Sequence, residues 1–500
     1  VTIILLHNIH WRIFIPTPPA VIFLKVIDNL SQQMAKTKIA VTIGAASKTK
    51  EIIRAMALSG ATIFRINFSH GSPEEWSEMV KIVREIEEEL GKHFALIGDL
   101  RGPSVRLGDI ENVVSVKAGE LVKLVLAQES RGSDKLIPLP NPTALKALRR
   151  GHVILMDDGR AAFKVESASE SEAILRALTD ALITSRKTIV IQGSGLDLPA
   201  ITDREVNAIK FAVENGFDYI GLSYVRGEED ISMLRGILLS LGAEQTSIIA
   251  KIETPVAVRR LKEIVAAADV VLVARGDLGM HFPLEEVPEL QRKIIRLCVE
   301  CGKPVIVATQ LLGSMIESPV PTRSEVVDVV SALMDGVDVL MLTGETAIGR
   351  YPVEAVKWLS KIIERYEPTI KPPKREVKPE NHIGDRFAAG IVSLAESLNA
   401  VIAVYTRSGR TAERIASFKP TCRVISASPN EKTLRKLALI RGIETLRVSA
   451  QSYEEGLDEL EVKIRSSRDI PENSTVILTY GMRGEPVHIV KIIQLRKAED

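Results

Sequence analysis

Val270-Val-Leu-Val-Ala-Arg-Gly-Asp-Leu-Gly279 passes from five apolar residues directly into an arginine, a glycine and an aspartate. An apolar run without alternation reads as a strand buried on both faces. A charged residue directly after it reads as a side chain held at that strand's carboxyl end. The arrangement recurs on either side of this stretch. Apolar runs at Ile39–Ile43, Ala61–Ile66, Phe94–Ile97, Tyr219–Leu222, Ser247–Ala250, Val270–Ala274, Pro304–Ala308 and Val337–Leu342 are followed by Gly44; Arg65 with Asn67; Asp99; Ser223; Lys251 with Glu253; Arg275 with Asp277; Thr309; and Glu345. Helical patterns such as Pro73–Leu90, Thr202–Asn215 and Thr254–Ala268 lie between most of them, the second stopping at Gly216. Strand and helix alternating eight times predict a parallel (β/α)8 TIM-type barrel. Such barrels carry their active sites at the carboxyl rim, where this chain concentrates its hydrogen-bonding and charged groups.

The alternation is interrupted once. Between the third strand and the helix leading to the fourth, residues 103–194 hold short β-like runs (Val114–Val116, Leu121–Leu126, Val153–Met156, Ala161–Val165, Thr188–Ile191). That predicts a small inserted β-barrel domain, because a loop of this length without structure of its own is uncommon. A Pro/Lys/Glu-rich linker is expected over 367–380. Beyond it, runs at Val401–Tyr405, Arg423–Ser426, Glu444–Val448 and Thr475–Tyr480 alternate with helices at Arg410–Phe418 and Glu431–Leu439. A separate open α/β domain is expected over 381–500. The barrel is assigned to 36–102 and 195–366, and residues 1–35 to an extension outside the fold. In that leader Pro16, Pro18 and Pro19 interrupt any helix, and it lacks the residue order of a secretory signal. No run in it reaches the roughly 18 apolar residues that span a bilayer.

Composition narrows the function. The 500 residues carry 65 Lys and Arg against 64 Asp and Glu, a net charge of +1. That balance argues against bulk attraction to nucleic acid or to an anionic membrane. Three cysteines, Cys298, Cys301 and Cys422, exclude a disulfide framework and fit a reducing, cytoplasmic setting. Cys298-Val-Glu-Cys301 has the spacing of half a zinc site, yet no second pair accompanies it, and burial as small apolar groups is expected instead. Glu85–Glu89 reads as a solvated helix face, and Trp11, Trp76 and Trp358 form no stacking platform.

The rim residues could serve phosphoryl transfer, which needs in-line positioning and neutralisation of developing charge. Glu253 and Asp277, on adjacent strand ends, are hard oxygen ligands suited to Mg²⁺ or Mn²⁺. Asn67, Ser69 and Asp99 carry less negative charge and would suit a monovalent cation. Arg65, Arg106, Lys251 and Arg275 supply positive charge where phosphate oxygens could sit. No Walker A loop is present. His281, one turn past Asp277, is expected to make an ordinary polar contact rather than to bind metal.

Eight segments, TKIAVTIGAAS (37–47), RINFSHG (65–71), DLRGPSVR (99–106), KIE (251–253), ARGDLG (274–279), ATQ (308–310), PTRSE (321–325) and LTGETA (342–347), resemble pyruvate kinase in order from about Lys36 to Leu495. The resemblance implies transfer of the phosphoryl group of phosphoenolpyruvate to ADP, with the insert as a lid and the last domain as regulatory. It implies Glu253 and Asp277 as ligands of the divalent metal and Lys251 as the cation that stabilises the phosphoryl group in flight. Thr309 would lie near the proton path, and Arg65 would contact the phosphoryl group. Arg65, Asn67, His70 and Arg106 would line the nucleotide side. The N–H groups of Arg275, Gly276 and Asp277 would hold the substrate carboxylate. Asn67, Ser69, Asp99 and the carbonyl of Leu100 would form a potassium site.

Some positions depart from the family pattern. Ala45 replaces a proline and Ser194 a nucleotide-facing lysine; Thr254, Met280, His281 and Gly313 also differ. Ser104 stands where the family has a glutamate. Members lacking it often lose potassium dependence, so the resemblance implies that the monovalent site can be empty here. Thr406-Arg407-Ser408-Gly409-Arg410-Thr411, hydroxyls and arginines before a helix, forms a phosphate cradle and resembles the family's effector loop. A homotetramer is implied as well. Two other readings compete. A metal-dependent lyase or aldolase of the phosphoenolpyruvate/pyruvate barrel type would need neither the insert nor Arg106 and His70. A metabolite sensor that has lost catalysis would be expected to lose Lys251, Glu253 or Asp277, and all three are present.

Overall fold

The computed structural model describes residues 35–157, 159–193, 199–482 and 488–495. The leader over 1–34 and Ser194 lie outside these described residues. Eight parallel strands close into a barrel: β1 (Lys38–Ile43), β2 (Ala61–Asn67), β3 (Ala95–Asp99), β4 (Tyr219–Leu222), β5 (Ser247–Ile252), β6 (Val270–Ala274), β7 (Val305–Ala308) and β8 (Val339–Leu342). Sequence neighbours pair around the ring, and β1 meets β8 to close it, with Lys38 opposite Val339.

The strands read as unbroken apolar runs because each buries two faces. Ile248, Ala250 and Ile252 of β5 pack outward among the helices. Ile249 packs inward with Ile63, Ile97, Leu272 and Ile306. Residues two apart share a face, so the inward series of β5 continues from Ile249 to Lys251 and Glu253. The same parity carries Ile63 to Arg65 and Asn67, and Ile97 to Asp99. The middle of the barrel interior is thus an apolar plug; its charges gather in the layer at the carboxyl end, with Lys38, on the face of Ala40, at the amino end donating to the Ile443 carbonyl.

One expected helix is two. Thr254–Ala268 divides into Pro255–Arg259 and Leu261–Ala267, with Arg260 leaving helical geometry at φ −101° and ψ 23°. The Arg260 guanidinium ties the break to Glu229 and Glu263 at 2.8 and 2.6 Å. By contrast Pro73–Leu90 begins and ends as expected, on a Ser72 capping box with Gly91 in the left-handed conformation.

The insert holds a six-stranded, mainly antiparallel sheet over its own apolar core. Its strand Glu172–Ala177 was not evident in the sequence because charged Glu172 and Arg176 alternate with its buried residues. The C-terminal domain is a five-stranded sheet whose edge strand, His488–Gln494, runs antiparallel to Thr475–Gly481 and was likewise not anticipated. Among the described residues no helix is long and apolar enough to cross a membrane.

The expected linker starts with an anchor. Glu367 accepts hydrogen bonds from the backbone N–H groups of Lys36 and Thr37 and from Arg441, and so joins both ends of the barrel to the C-terminal domain.

Candidate active site

Lys251 is the centre of the rim. Its Nζ lies 2.7 Å from Ser223 Oγ, 3.0 Å from Glu253 Oε1 and 3.4 Å from Asp99 Oδ2, and its side chain is only 13% exposed. Burial alone would lower its pKa, but Asp99 and then Glu253 outweigh that and raise it, so the ammonium stays charged. Ser223, which the sequence offered only as a polar strand end, is a clamp. It accepts from Lys251 and donates to the Leu100 carbonyl at 2.8 Å.

Asp99 is shared between two cations. Arg65 donates to its Oδ2 through Nε at 3.1 Å and through Nη2, while Arg65 Nη1 donates to Thr42 Oγ1 at 2.9 Å. Burial pushes the Asp99 carboxyl up, but Arg65 and Lys251 overcome this and hold it below its ordinary value. Gly221 makes the approach possible, since a Cβ there would stand 2.5 Å from Asp99 Oδ1.

Glu253 is 1% exposed and receives the Tyr224 N–H at 2.6 Å. Burial pushes its pKa up to about 7; Lys251 lowers it and the neighbouring charge of Asp277 raises it further. Glu253 is buried and Asp277 half-buried, and two carboxylates that repel each other would fit a divalent cation, which would reverse that repulsion. Among the described residues no group of three or more His, Cys, Asp or Glu side chains is placed to hold a metal ion by itself. A pair of carboxylates is nevertheless enough protein for a divalent ion of the Mg²⁺ kind, which commonly takes one or two and completes its shell from water and phosphate.

Thr309 and Gln310 both have positive φ, 70° and 53°. For a β-branched residue this is a strained conformation that the surroundings must enforce. Arg275 supplies the enforcement: its guanidinium donates to the Thr309 carbonyl at 2.9 Å and to the Gln310 carbonyl at 2.8 Å, and is anchored by Asp328 at 2.6 Å. Its guanidinium is thus engaged by the loop and by Asp328, where its position led to the expectation of a charge free for phosphate oxygens. Thr309 Oγ1 in turn accepts the Gly276 N–H at 2.8 Å, so that one of the three N–H groups expected to face a carboxylate already has a partner. Asp328 gave no signal in the sequence, being an ordinary residue of the helix Arg323–Asp335.

The remaining expected residues are more dispersed. Asn67 Oδ1 accepts the Ser69 N–H at 3.0 Å, and His70 is exposed. Arg106 belongs to the insert, where it donates to the Arg186 carbonyl at 3.1 Å. His281 is buried with Nδ1 unpartnered, and burial takes its pKa down to about 4. The expected polar contact to that nitrogen is absent among the described residues. Its neighbour Met280 packs against Leu155 and Val190 of the insert, linking that domain to the helix Arg275–His281 that carries Asp277. Cys298 is buried as expected, whereas Cys301 is exposed.

In the C-terminal domain Gly409 has φ 86° and donates its N–H to Thr406 Oγ1 at 3.0 Å, closing a turn ahead of the helix Arg410–Ser417. The side chains of Arg407, Ser408 and Arg410 are exposed around that turn.

Comparison with known proteins agrees over nearly the whole described chain. The family model for the pyruvate kinase barrel domain matches residues 34–356, and that for the pyruvate kinase alpha/beta domain matches 385–493. Pyruvate kinase of Aeropyrum pernix is 37% identical over 92% of this chain and 98% of that protein. Pyruvate kinase of Pyrobaculum aerophilum is 39% identical over 86% of this chain and 90% of that protein. The crystal structure of pyruvate kinase from Pyrobaculum aerophilum superposes with a TM-score of 0.84 at 37% identity, covering 92% of this chain and all of the other.

Proposed function

The chain belongs to the pyruvate kinase family and is a phosphotransferase with that activity; from this we propose how its own residues divide the work. Phosphoenolpyruvate and ADP are the substrates. The bond between phosphorus and the enol oxygen breaks, the phosphoryl group passes to a terminal phosphate oxygen of ADP, and the enolate carbon takes up a proton to give pyruvate. The observation that carries the assignment is the cluster of Lys251, Asp99, Ser223 and Glu253 at the carboxyl rim.

Lys251 holds its positive charge against the phosphoryl oxygens, where charge develops in the loose transition state. Because Ser223, Asp99 and Glu253 already fix the ammonium, little reorganisation is needed when the group moves. Arg65, fixed by Asp99 and Thr42, brings a second cation from the adjoining wall. Glu253 and Asp277 would hold one divalent ion, Mg²⁺ or Mn²⁺, which when bound would supply positive charge to the anionic substrate. Thr309 accepts the Gly276 N–H through an oxygen lone pair. Its own hydroxyl proton thereby stays available for the path to the enolate carbon. Arg106 and His70 serve the nucleotide side once the insert closes as a lid.

The monovalent site is dispensable in this reading. Asp99 already carries two cations, the Leu100 carbonyl already accepts from Ser223, and Ser104 brings no charge. A lactate-dehydrogenase-coupled assay with Mg²⁺, phosphoenolpyruvate and ADP tests this together with the activity. Turnover with tetramethylammonium as sole monovalent cation is expected within about twofold of that with potassium, an effect below 0.5 kcal/mol. Stimulation by potassium of tenfold or more would contradict it.

A phosphorylated metabolite acts through Thr406–Thr411, where exposed arginines meet the N-terminus of a helix. Sugar phosphates, phosphoglycerates and nucleotides, titrated at subsaturating phosphoenolpyruvate, should include one that lowers the half-saturating concentration. Indifference to all of them would remove the role. The homotetramer implied by the family is checked by sedimentation equilibrium, a monomeric mass contradicting it.

A further inference from the structure

We propose that the cavity between the amino-terminal end of the barrel and the C-terminal domain binds a small anion that carries several negative charges together with hydroxyl groups. The cavity measures about 530 Å³, within the size range of small-molecule sites. Tyr219, Ser247, Val270, Pro304 and Asp338 line it from the barrel, at or just before the starts of β4 to β8. It therefore lies at the opposite end of the barrel from Lys251. The helix Arg410–Ser417 and Lys436 close it from the other side.

The lining carries eight Lys or Arg side chains against five Asp or Glu, an excess of three positive charges. Several of these cations are committed: Lys419 to Asp338, Arg441 to Glu367, and Arg375 and Arg414 to Asp385. The ammonium of Lys436 and the guanidinium of Arg410 have no hydrogen-bond or ion-pair partner among the described residues. The carboxyl of Glu413, between them in charge, is also without one there; burial pushes its pKa up, with Lys436 the strongest opposing charge and Asp269 adding to the rise.

Two uncommitted cations facing a cleft with net positive charge ask for an anion. An uncommitted carboxyl beside them asks for hydrogen-bond donors, which hydroxyl groups on the same molecule supply. A phosphate ester of a polyol and a hydroxylated polycarboxylate share this chemistry. The site overlaps the effector loop at Ser408 and Arg410 but does not depend on that loop's own reading, since Lys436, Glu413 and the barrel residues lie outside it. Ser408 and Arg410 border both, but Thr406, Arg407 and Thr411 do not line the cavity. A bound anion would fasten the C-terminal domain to the amino ends of the strands that carry Lys251, Asp277 and Thr309 at their other ends.

Isothermal titration calorimetry of the full chain with ribose 5-phosphate and with citrate, in metal-free buffer, tests the site. Saturable binding of one equivalent is expected for at least one of them: ribose 5-phosphate alone identifies a phosphate ester, citrate alone a polycarboxylate, and both the shared chemistry. Lys436→Gln should weaken binding about tenfold or more, the worth of a charge-assisted hydrogen bond. Lys251→Met and Arg407→Ala should leave it unchanged. Hydrogen exchange on the wild-type chain supplies a readout independent of any variant, since the bound anion should slow exchange in Arg410–Ser417 and at the start of β5. Absence of saturable binding by both probes, a Lys436→Gln variant that titrates like wild type, or no added protection at those two segments would overturn the proposal.

Discussion

Lys251→Met is expected to lower kcat by about 10³-fold while leaving the half-saturating concentration of phosphoenolpyruvate within a few-fold of wild type. Removal of one preorganised donor from an oxyanion-type site costs about 10² to 10³ in rate, and Lys251 brings a full charge rather than a dipole. Methionine keeps the length and apolar stem of lysine, so the barrel interior stays filled. The split between kcat and KM matters because an interaction made chiefly in the transition state lowers the first without raising the second. Asp99 keeps Arg65, and Glu253 keeps the Tyr224 N–H, so neither carboxylate is stranded. Steady-state kinetics on the folded variant gives the answer. A kcat within tenfold of wild type would remove Lys251 from its assigned role.

Lys419→Met should destabilise the protein by about 3–5 kcal/mol, the usual cost of breaking a buried ion pair from one side. Lys419 is 3% exposed and reaches from the C-terminal domain to Asp338, beside the start of β8, at 2.5 Å. It also donates to the Gly336 carbonyl at 2.6 Å. The other Asp338 oxygen accepts the Val305 N–H at 2.9 Å, so this single carboxylate ties β7, β8 and the C-terminal domain together. Without Lys419 it is left buried with its charge unpaired. The double variant Lys419→Met/Asp338→Asn removes the stranded charge and keeps the bond to Val305, and should recover most of the loss. Denaturant unfolding of the three proteins measures both effects. A single variant within 1 kcal/mol of wild type would show that the contact carries no such weight.

The barrel was legible because its strands are buried on both faces, which leaves an apolar run that few other environments produce. The rim was legible for a related reason. A charge directly after such a run has nowhere to go but the strand's end, as with Lys251 and Glu253 after Ser247–Ala250. What a rim charge touches was not legible. Arg275 and Arg65 look alike in sequence, but one braces Thr309 and Gln310 against Asp328 while the other lies against Asp99. The difference arises from a helix some fifty residues away, a tertiary contact with no local signature. Ser223 is a similar case, an ordinary strand-end serine until Leu100 and Lys251 approach from neighbouring strands. In Thr254–Ala268 the apolar period continues through Arg260, so nothing in the pattern marks the break that its ion pairs with Glu229 and Glu263 stabilise.

If the rim works as proposed, Glu253 and Asp277 together hold one divalent ion beside Lys251. Binding of Mn²⁺ to the purified chain, followed by electron paramagnetic resonance without substrate, measures it directly. One tightly bound ion per chain is expected, retained in Lys251→Met and lost in both Glu253→Gln and Asp277→Asn. If either carboxylate variant still bound one ion per chain with wild-type affinity, the two residues would not share a ligand and the account of the site would be wrong.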